Sequence, residues 1–332
     1  MSQESSNSPD ELRAIPSELK RCWDRLPNKL LFGLMFLGWV ALFHFLGNST
    51  LGYIKTTSLF GWMKYAFSMS DADELGAYMP LVVIGLAYWK RNELLEAAKA
   101  PWWPALCLVL LGLLTHWAGY VVQQTRLSIV GFFIGLYGIL GMTWGFRFLV
   151  TAFFPFCLFV FCVPLATETE RITFPMRLMA TKITGVFCHY VMGIDVIADG
   201  TMLFDAKGKY QYEIAAACSG IKSLSATVAI SIIAGFMFFK APWRRLVTFL
   251  AAFPFAVLGN VLRLVAIIIA SEAFGENAGK FVHDNSILSL LPYVPAIGGV
   301  VLLVKFLGDQ ELRKETPAQG VDPASAAGTA SP

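Results

Sequence analysis

Apolar stretches of about 20 residues recur along this chain, the length an α-helix needs to cross a hydrocarbon core. Nothing constrains a fold more, because a segment in lipid must satisfy its backbone N–H and C=O groups without water. The candidate spans are Leu30–Gly47, Tyr78–Trp89, Trp102–Val122, Ser128–Met142, Phe148–Leu165, Ala215–Phe239, Leu246–Ala270 and Ile287–Leu307, of which the second and fourth are short. Pro80, Pro155 and Pro254 fall inside them, where neighbouring helices can satisfy freed carbonyls. Composition agrees: the chain is 56% hydrophobic and 15% charged, outside the range of a soluble domain. The expected fold is an all-α polytopic membrane protein of about eight transmembrane helices, surrounded by lipid. The net charge of +3 is spread over loops and gives no reason to expect nucleic acid as a partner.

Basic residues set the orientation. Arg13, Lys20, Arg21, Arg25 and Lys29 precede the first span, and Lys90, Arg91 and Lys99 fall between the second and third. Lys240, Arg244 and Arg245 fill the short connection between the sixth and seventh, and Arg313 and Lys314 follow the last. With eight spans these segments share one side, which the excess of Lys and Arg makes cytoplasmic. Arg171, Arg177, Lys207 and Lys209 lie on the other side in one longer loop, where charge bias counts for less. Both termini are thus expected inside. Leu30–Gly47 is too long and too far in for a cleavable signal and reads as a first anchor.

The expected organisation follows: a cytoplasmic segment over 1–29, spans one to five over 30–165, a cap over 166–214, spans six to eight over 215–307, and a tail over 308–332. Residues 1–20 and the Pro-, Ala-, Gly- and Ser-rich end of the tail read as disordered. In the cap, Ile172, Met176, Met179, Ile183, Val186 and Tyr190 recur at spacings of three and four, the stripe of an amphipathic helix on the outer interface. Ile194–Ala198, Thr201–Phe204 and Lys209–Ile214 read as short strands, with a turn at Asp199-Gly200.

Three polar residues converge on the outer face of this map. Cys218 stands near the outer end of span six, Arg263 in the outer third of span seven, and His283 in the loop before span eight. Asn260 precedes Arg263 by three residues, on the same helical face. A thiolate is a nucleophile once its pKa of about 8.5 is lowered or a base takes its proton. His283 could be that base and later protonate a leaving amine, while Arg263 could stabilise the thiolate or an oxyanion. An ionised side chain inside a span costs at least about 2.5–3.5 kcal/mol on insertion scales, which makes Arg263 a functional candidate by default.

Each residue also has a bland reading. A cysteine in an apolar helix is usually a small hydrophobe, as Cys22, Cys107, Cys157, Cys162 and Cys188 can be. Arg263 could snorkel to the outer interface, and Lys222, one turn after Cys218, could lower a thiol pKa or do the same. His44, His116 and His189 share the outer side with His283, and His189 is its serious rival. No Cys-x-x-Cys, His-Glu-x-x-His, Gly-x-Ser-x-Gly or phosphate-cradling loop is present. The cysteines do not read as a disulfide framework.

The segment Ala217-Cys-Ser-Gly-Ile221, then Asn260-Val-Leu-Arg263, then His283 in an outer loop resembles the exosortase/archaeosortase family of polytopic membrane cysteine transpeptidases. The resemblance is close over Asp195–Leu307 and looser over the eight-span layout. It implies Cys218 as nucleophile, Arg263 as stabiliser and His283 as the third catalytic residue, with Asn260, Ser219, Gly220, Lys222 and Asp284 supporting or binding substrate. One departure is that His283 is followed by Asp-Asn-Ser, where many members carry a Gly about four residues on. The implied substrates are exported proteins with a C-terminal sorting signal: a motif of the PEP-CTERM kind, one transmembrane helix, and a basic tail. The implied place is a bacterial inner (plasma) membrane, with the site on the extracytoplasmic face. No metal or organic cofactor is required. Two other classes fit the residues less well: a transporter whose path Asn260 and Arg263 would line, and a non-catalytic assembly protein for a secreted polymer.

Overall fold

The computed structural model describes residues 9–47, 56–70, 73–205, 208, 210–213, 221–285 and 293–315. They form two compact units, divided after Glu170.

In the first unit, α1 (Pro9–Arg25) meets α2 (Lys29–Phe45) at a bend of 102°. Residues 9–20, expected disordered, are therefore helical, and Leu19, Cys22 and Trp23 recur in α1 at spacings of three and four. Then come α3 (Leu59–Met69), α4 (Leu75–Trp89), α5 (Arg91–Ala97), α6 (Leu106–Val121), α7 (Thr125–Trp144) and α8 (Phe146–Cys157), which continues as a 3-10 turn to Cys162. Neither α3 nor α5 was expected: each is short and lies in a connection. The centre of the unit is the α6–α7 hairpin, where glycines let two backbones touch. A Cβ on Gly112 would fall 2.6 Å from the Gly131 carbonyl oxygen, and one on Gly138 2.8 Å from the Val109 nitrogen. Close approach of small residues is how helices associate where no hydrophobic effect separates protein from solvent. Trp39 of α2 covers the same face and donates from Nε1 to the Phe132 carbonyl.

The second unit carries most of α9 (Ala166–Met192), a three-stranded antiparallel meander, and the helices α10 (Ile221–Phe238), α11 (Pro242–Phe274), α12 (Glu276–Asp284) and α13 (Tyr293–Glu315). The strands are β1 (Val196–Asp199), β2 (Met202–Asp205) and β3 (Gln211–Glu213), with Val196 opposite Asp205 and Leu203 opposite Tyr212. All three expected strands form, within a few residues of their expected places. The sheet and α9 share one core with α11: Ala180, Cys188, Val196, Leu203, Tyr210 and Tyr212 pack with Val261, Leu264 and Ile268.

The amphipathic helix of the cap exists as α9, and most of its apolar stripe faces away from the protein. Met179, Ile183, Val186 and Tyr190 lie exposed, while Thr173, Arg177, Thr181 and Thr184 are buried. An apolar face turned outward is what a helix against lipid presents. The polar face turns inward.

Every expected span is matched by a helix. By length and apolarity α6 with its leading turn, α7 and α11 can each cross a membrane, and the bent α1–α2 pair adds a fourth candidate. The others are shorter apolar helices. The C-terminal tail is helical as far as Glu315, because Leu307 still has a core to pack on. Residues 316–332 lie outside the described set.

Candidate active site

The site rests on α11. This helix is 33 residues long, about 50 Å at 1.5 Å per residue, longer than a span needs, and its C-terminal part meets the small sheet. It ends at Gly275, whose φ of 86° and ψ of 171° suit a residue without Cβ. The chain turns there directly into α12, so His283 lies in the last turn of a helix, not in a loop. Ser271 and the start of α12 are thereby brought under the sheet.

Arg263 sits 11 residues before the end of α11, about three turns, rather than the two expected from an end at Ala270. It is 8% exposed, and Asn260, one turn earlier, is 3% exposed. The Arg263 Nη2 donates to the main-chain carbonyl of His283 at 3.1 Å. Arg263 Nε and Asn260 Oδ1 are buried and have no hydrogen-bond partner among the described residues. Burying polar groups in this state costs about 1–3 kcal/mol each, which a fold sustains where a ligand or another group completes them.

The His283 imidazole lies beside Tyr212 of β3, ring centroids 6.4 Å apart and planes inclined by 20°. Tyr212 is anchored in turn. Its hydroxyl is 2.8 Å from Ser271 Oγ and 3.2 Å from the Glu276 carbonyl, and Ser271 Oγ donates to the Ile267 carbonyl at 2.7 Å. Two hydroxyl protons serve these three contacts. The distances favour Ser271 donating to Ile267 and Tyr212 donating to Ser271, with Glu276 sharing the longer arm.

The other histidines are engaged elsewhere. His189 pairs through Nδ1 with Asp195 at 3.1 Å on an exposed face. In the first unit, His44 Nδ1 meets Ser58 Oγ and His116 Nε2 meets the Leu46 carbonyl. Of the four, His283 is the one whose main chain touches Arg263. Cys188 is wholly buried, and that burial pushes its thiol up to about 11, which makes it inert. Tyr210 is also pushed up, by burial first and then by Glu272 and Asp205.

The structure therefore brings together Arg263 and His283, with Asn260 on the same helix. Lys222 is the second residue of α10 and Asp284 the last of α12. Cys218, Ser219 and Gly220 lie outside the described residues. The transmembrane exosortase family model matches residues 62–288. The chain belongs to that family. The match runs from α3 through α12 and takes in Arg263, His283 and the segment with Cys218. No curated protein and no solved structure matches the chain. An exosortase-type function in the membrane follows from the family.

Sequence reasoning missed Tyr212, Ser271 and Gly279. Gly279 carried a signal: a glycine between Ala278 and Lys280 in a short helical pattern, where a special backbone shape or a close approach would require it.

Proposed function

We propose that this exosortase is a cysteine transpeptidase that cuts a C-terminal sorting signal on the outer face of a bacterial inner membrane. Cys218 is the nucleophile, Arg263 the oxyanion and thiolate stabiliser, and His283 the acid–base residue. Exported proteins ending in a motif, a transmembrane helix and a basic tail are its substrates. The carrying observation is the buried guanidinium that grips the His283 backbone while its Nε and the neighbouring Asn260 Oδ1 have no partner among the described residues. One donor and one acceptor, three residues apart on a helix, are what a peptide group needs from its binder.

The chemistry balances without a cofactor. His283 takes the Cys218 proton, and the thiolate attacks the scissile carbonyl carbon. The carbonyl oxygen becomes an oxyanion facing Arg263. On collapse the C–N bond breaks, the amine of the membrane-anchored fragment takes the proton from His283, and a thioester remains. An acceptor amine, or water, then attacks with His283 as base, and the Cys218 thiolate leaves. Helix α10 begins three residues after Cys218, and a helix N-terminus favours the thiolate form. Lys222, Ser219, Gly220 and Asp284 bind substrate or support Cys218, Arg263 and His283.

The test is processing of a co-expressed exported reporter with such a C-terminal signal, by wild type and by Cys218→Ala and Cys218→Ser at matched protein levels. Loss in both variants is expected. Processing by Cys218→Ala would overturn the cysteine mechanism and return Arg263 and Asn260 to a structural or transport role.

A further inference from the structure

Helix α12 is held at both ends by groups outside it. At its C-terminal end Arg263 Nη2 holds the His283 carbonyl. At its N-terminal end the Tyr212 hydroxyl reaches the Glu276 carbonyl and Ser271. The helix is only nine residues long, too short to be stable alone. Its seat is therefore made by what it packs on. Gly279 lies midway, and a Cβ there would fall against both Ser271 Oγ and the Tyr212 hydroxyl. The Tyr212 ring runs from this seat to the imidazole, and Tyr212 is itself fixed in β3 opposite Leu203.

We propose that Tyr212 is a positioning residue for His283. Its hydroxyl fixes the start of α12, and its ring face limits the rotation of the imidazole. The small sheet is then a mechanical part of the catalytic machinery. This rests on the acid–base role given to His283 above. The chain runs from Tyr212 to Cys218 in six residues, so the same strand that orients the base leads into the nucleophile segment.

The experiment uses the full-length enzyme, purified in detergent, and a labelled protein ending in a PEP-CTERM-type motif, a transmembrane helix and a basic tail. Rates are normalised to folded enzyme. Tyr212→Leu, which removes ring and hydroxyl, is expected to lower kcat roughly 10- to 100-fold with KM unchanged, the size of effect that a displacement of about 1 Å produces. Tyr212→Phe, which keeps the ring, should recover most of that loss. Wild-type kcat in Tyr212→Leu would overturn the proposal. So would a rise in KM alone, which would make Tyr212 a substrate contact, or a loss explained wholly by less folded protein. His283→Ala, assayed beside them, separates the two claims: if it processes normally, the role of His283 fails. If it is inactive while Tyr212→Leu is not, only the positioning role fails.

Discussion

Gly279→Ala perturbs the seat of α12 with a single methyl group. The new Cβ would fall inside van der Waals contact of Ser271 Oγ and the Tyr212 hydroxyl, and 3.0 Å from Tyr212 Cζ. Neither neighbour is a free end, since Ser271 is 2% and Tyr212 8% exposed and their hydroxyls bond to each other. Forcing a methylene-sized group into such a site costs about 1–3 kcal/mol, and breaking the hydroxyl pair adds about 1 kcal/mol. Alanine's better helix propensity returns about 1 kcal/mol. The clash wins, and a net destabilisation of roughly 1–3 kcal/mol remains. For a unit of this size that lowers Tm by roughly 3–10 °C. Thermal unfolding of the detergent-purified protein, followed by tryptophan fluorescence, reads it. Gly298→Ala in α13 is the control, because nothing lies within 4 Å of its Cβ, and it should change stability by under about 0.5 kcal/mol. Gly279→Ala unfolding at or above the wild-type temperature would refute the reasoning: the methyl would have found room, and α12 would not sit on the Tyr212–Ser271 pair.

Three further outcomes follow from the geometry. Arg263→Lys keeps the charge but not the forked donor, so processing should fall about 100- to 1,000-fold. Arg263→Leu should abolish it while membrane levels hold or rise; active Arg263→Leu would remove Arg263 from the mechanism. Cys188, a thiol raised to about 11, carries a thiolate fraction on the order of 0.001 at pH 8. Protonated is its favoured folded form and it is wholly buried, so maleimide labelling should be absent at pH 8 in the folded protein and appear once the protein is denatured; mass spectrometry of labelled peptides reads this. Gly112→Leu forces apart two backbones, because its Cβ would stand 2.6 Å from the Gly131 carbonyl oxygen and 2.7 Å from the Gly135 nitrogen. It should cost about 3 kcal/mol and reduce the protein recovered from membranes, whereas Gly85→Leu, with open space around it, should accumulate normally.

The helices were legible because a lipid-facing segment announces itself by apolarity alone, and every stretch read as a span overlaps a helix, of which α6, α7, α11 and the bent α1–α2 pair are long and apolar enough to cross a membrane. Their lengths were harder to read. Ser128–Met142 grows to Thr125–Trp144 because Thr125, Ser128 and Thr143 are buried and the polar ends of α7 stay inside the protein. The stripe on α9 was legible in its period, and Met179, Ile183, Val186 and Tyr190 lie exposed, as a helix on an interface requires. Periodicity reports that two faces differ, and in a membrane protein the apolar one need not face the core. Residues 9–20 looked disordered on composition, yet an apolar face was there to be found at a spacing of three and four.

The site divides along the same line. Arg263 and Asn260 stood out because an apolar helix gives polar groups no local reason to be there, and the burial of Arg263 Nε and Asn260 Oδ1 without partners among the described residues is the structural form of that anomaly. His283 could not be told from His189 in sequence, because both were expected on the same side and an imidazole has no signature in its neighbours. The distinction appears only when α11 overruns its span and Gly275 folds α12 back upon it. Then the carbonyl of His283 comes within reach of Arg263, while His189 turns to Asp195 on an exposed face. Tyr212 was invisible for the same reason. What makes it matter is a contact between a strand of the sheet and a helix about 60 residues later, and such a pairing is set by the path of the backbone rather than by any local pattern.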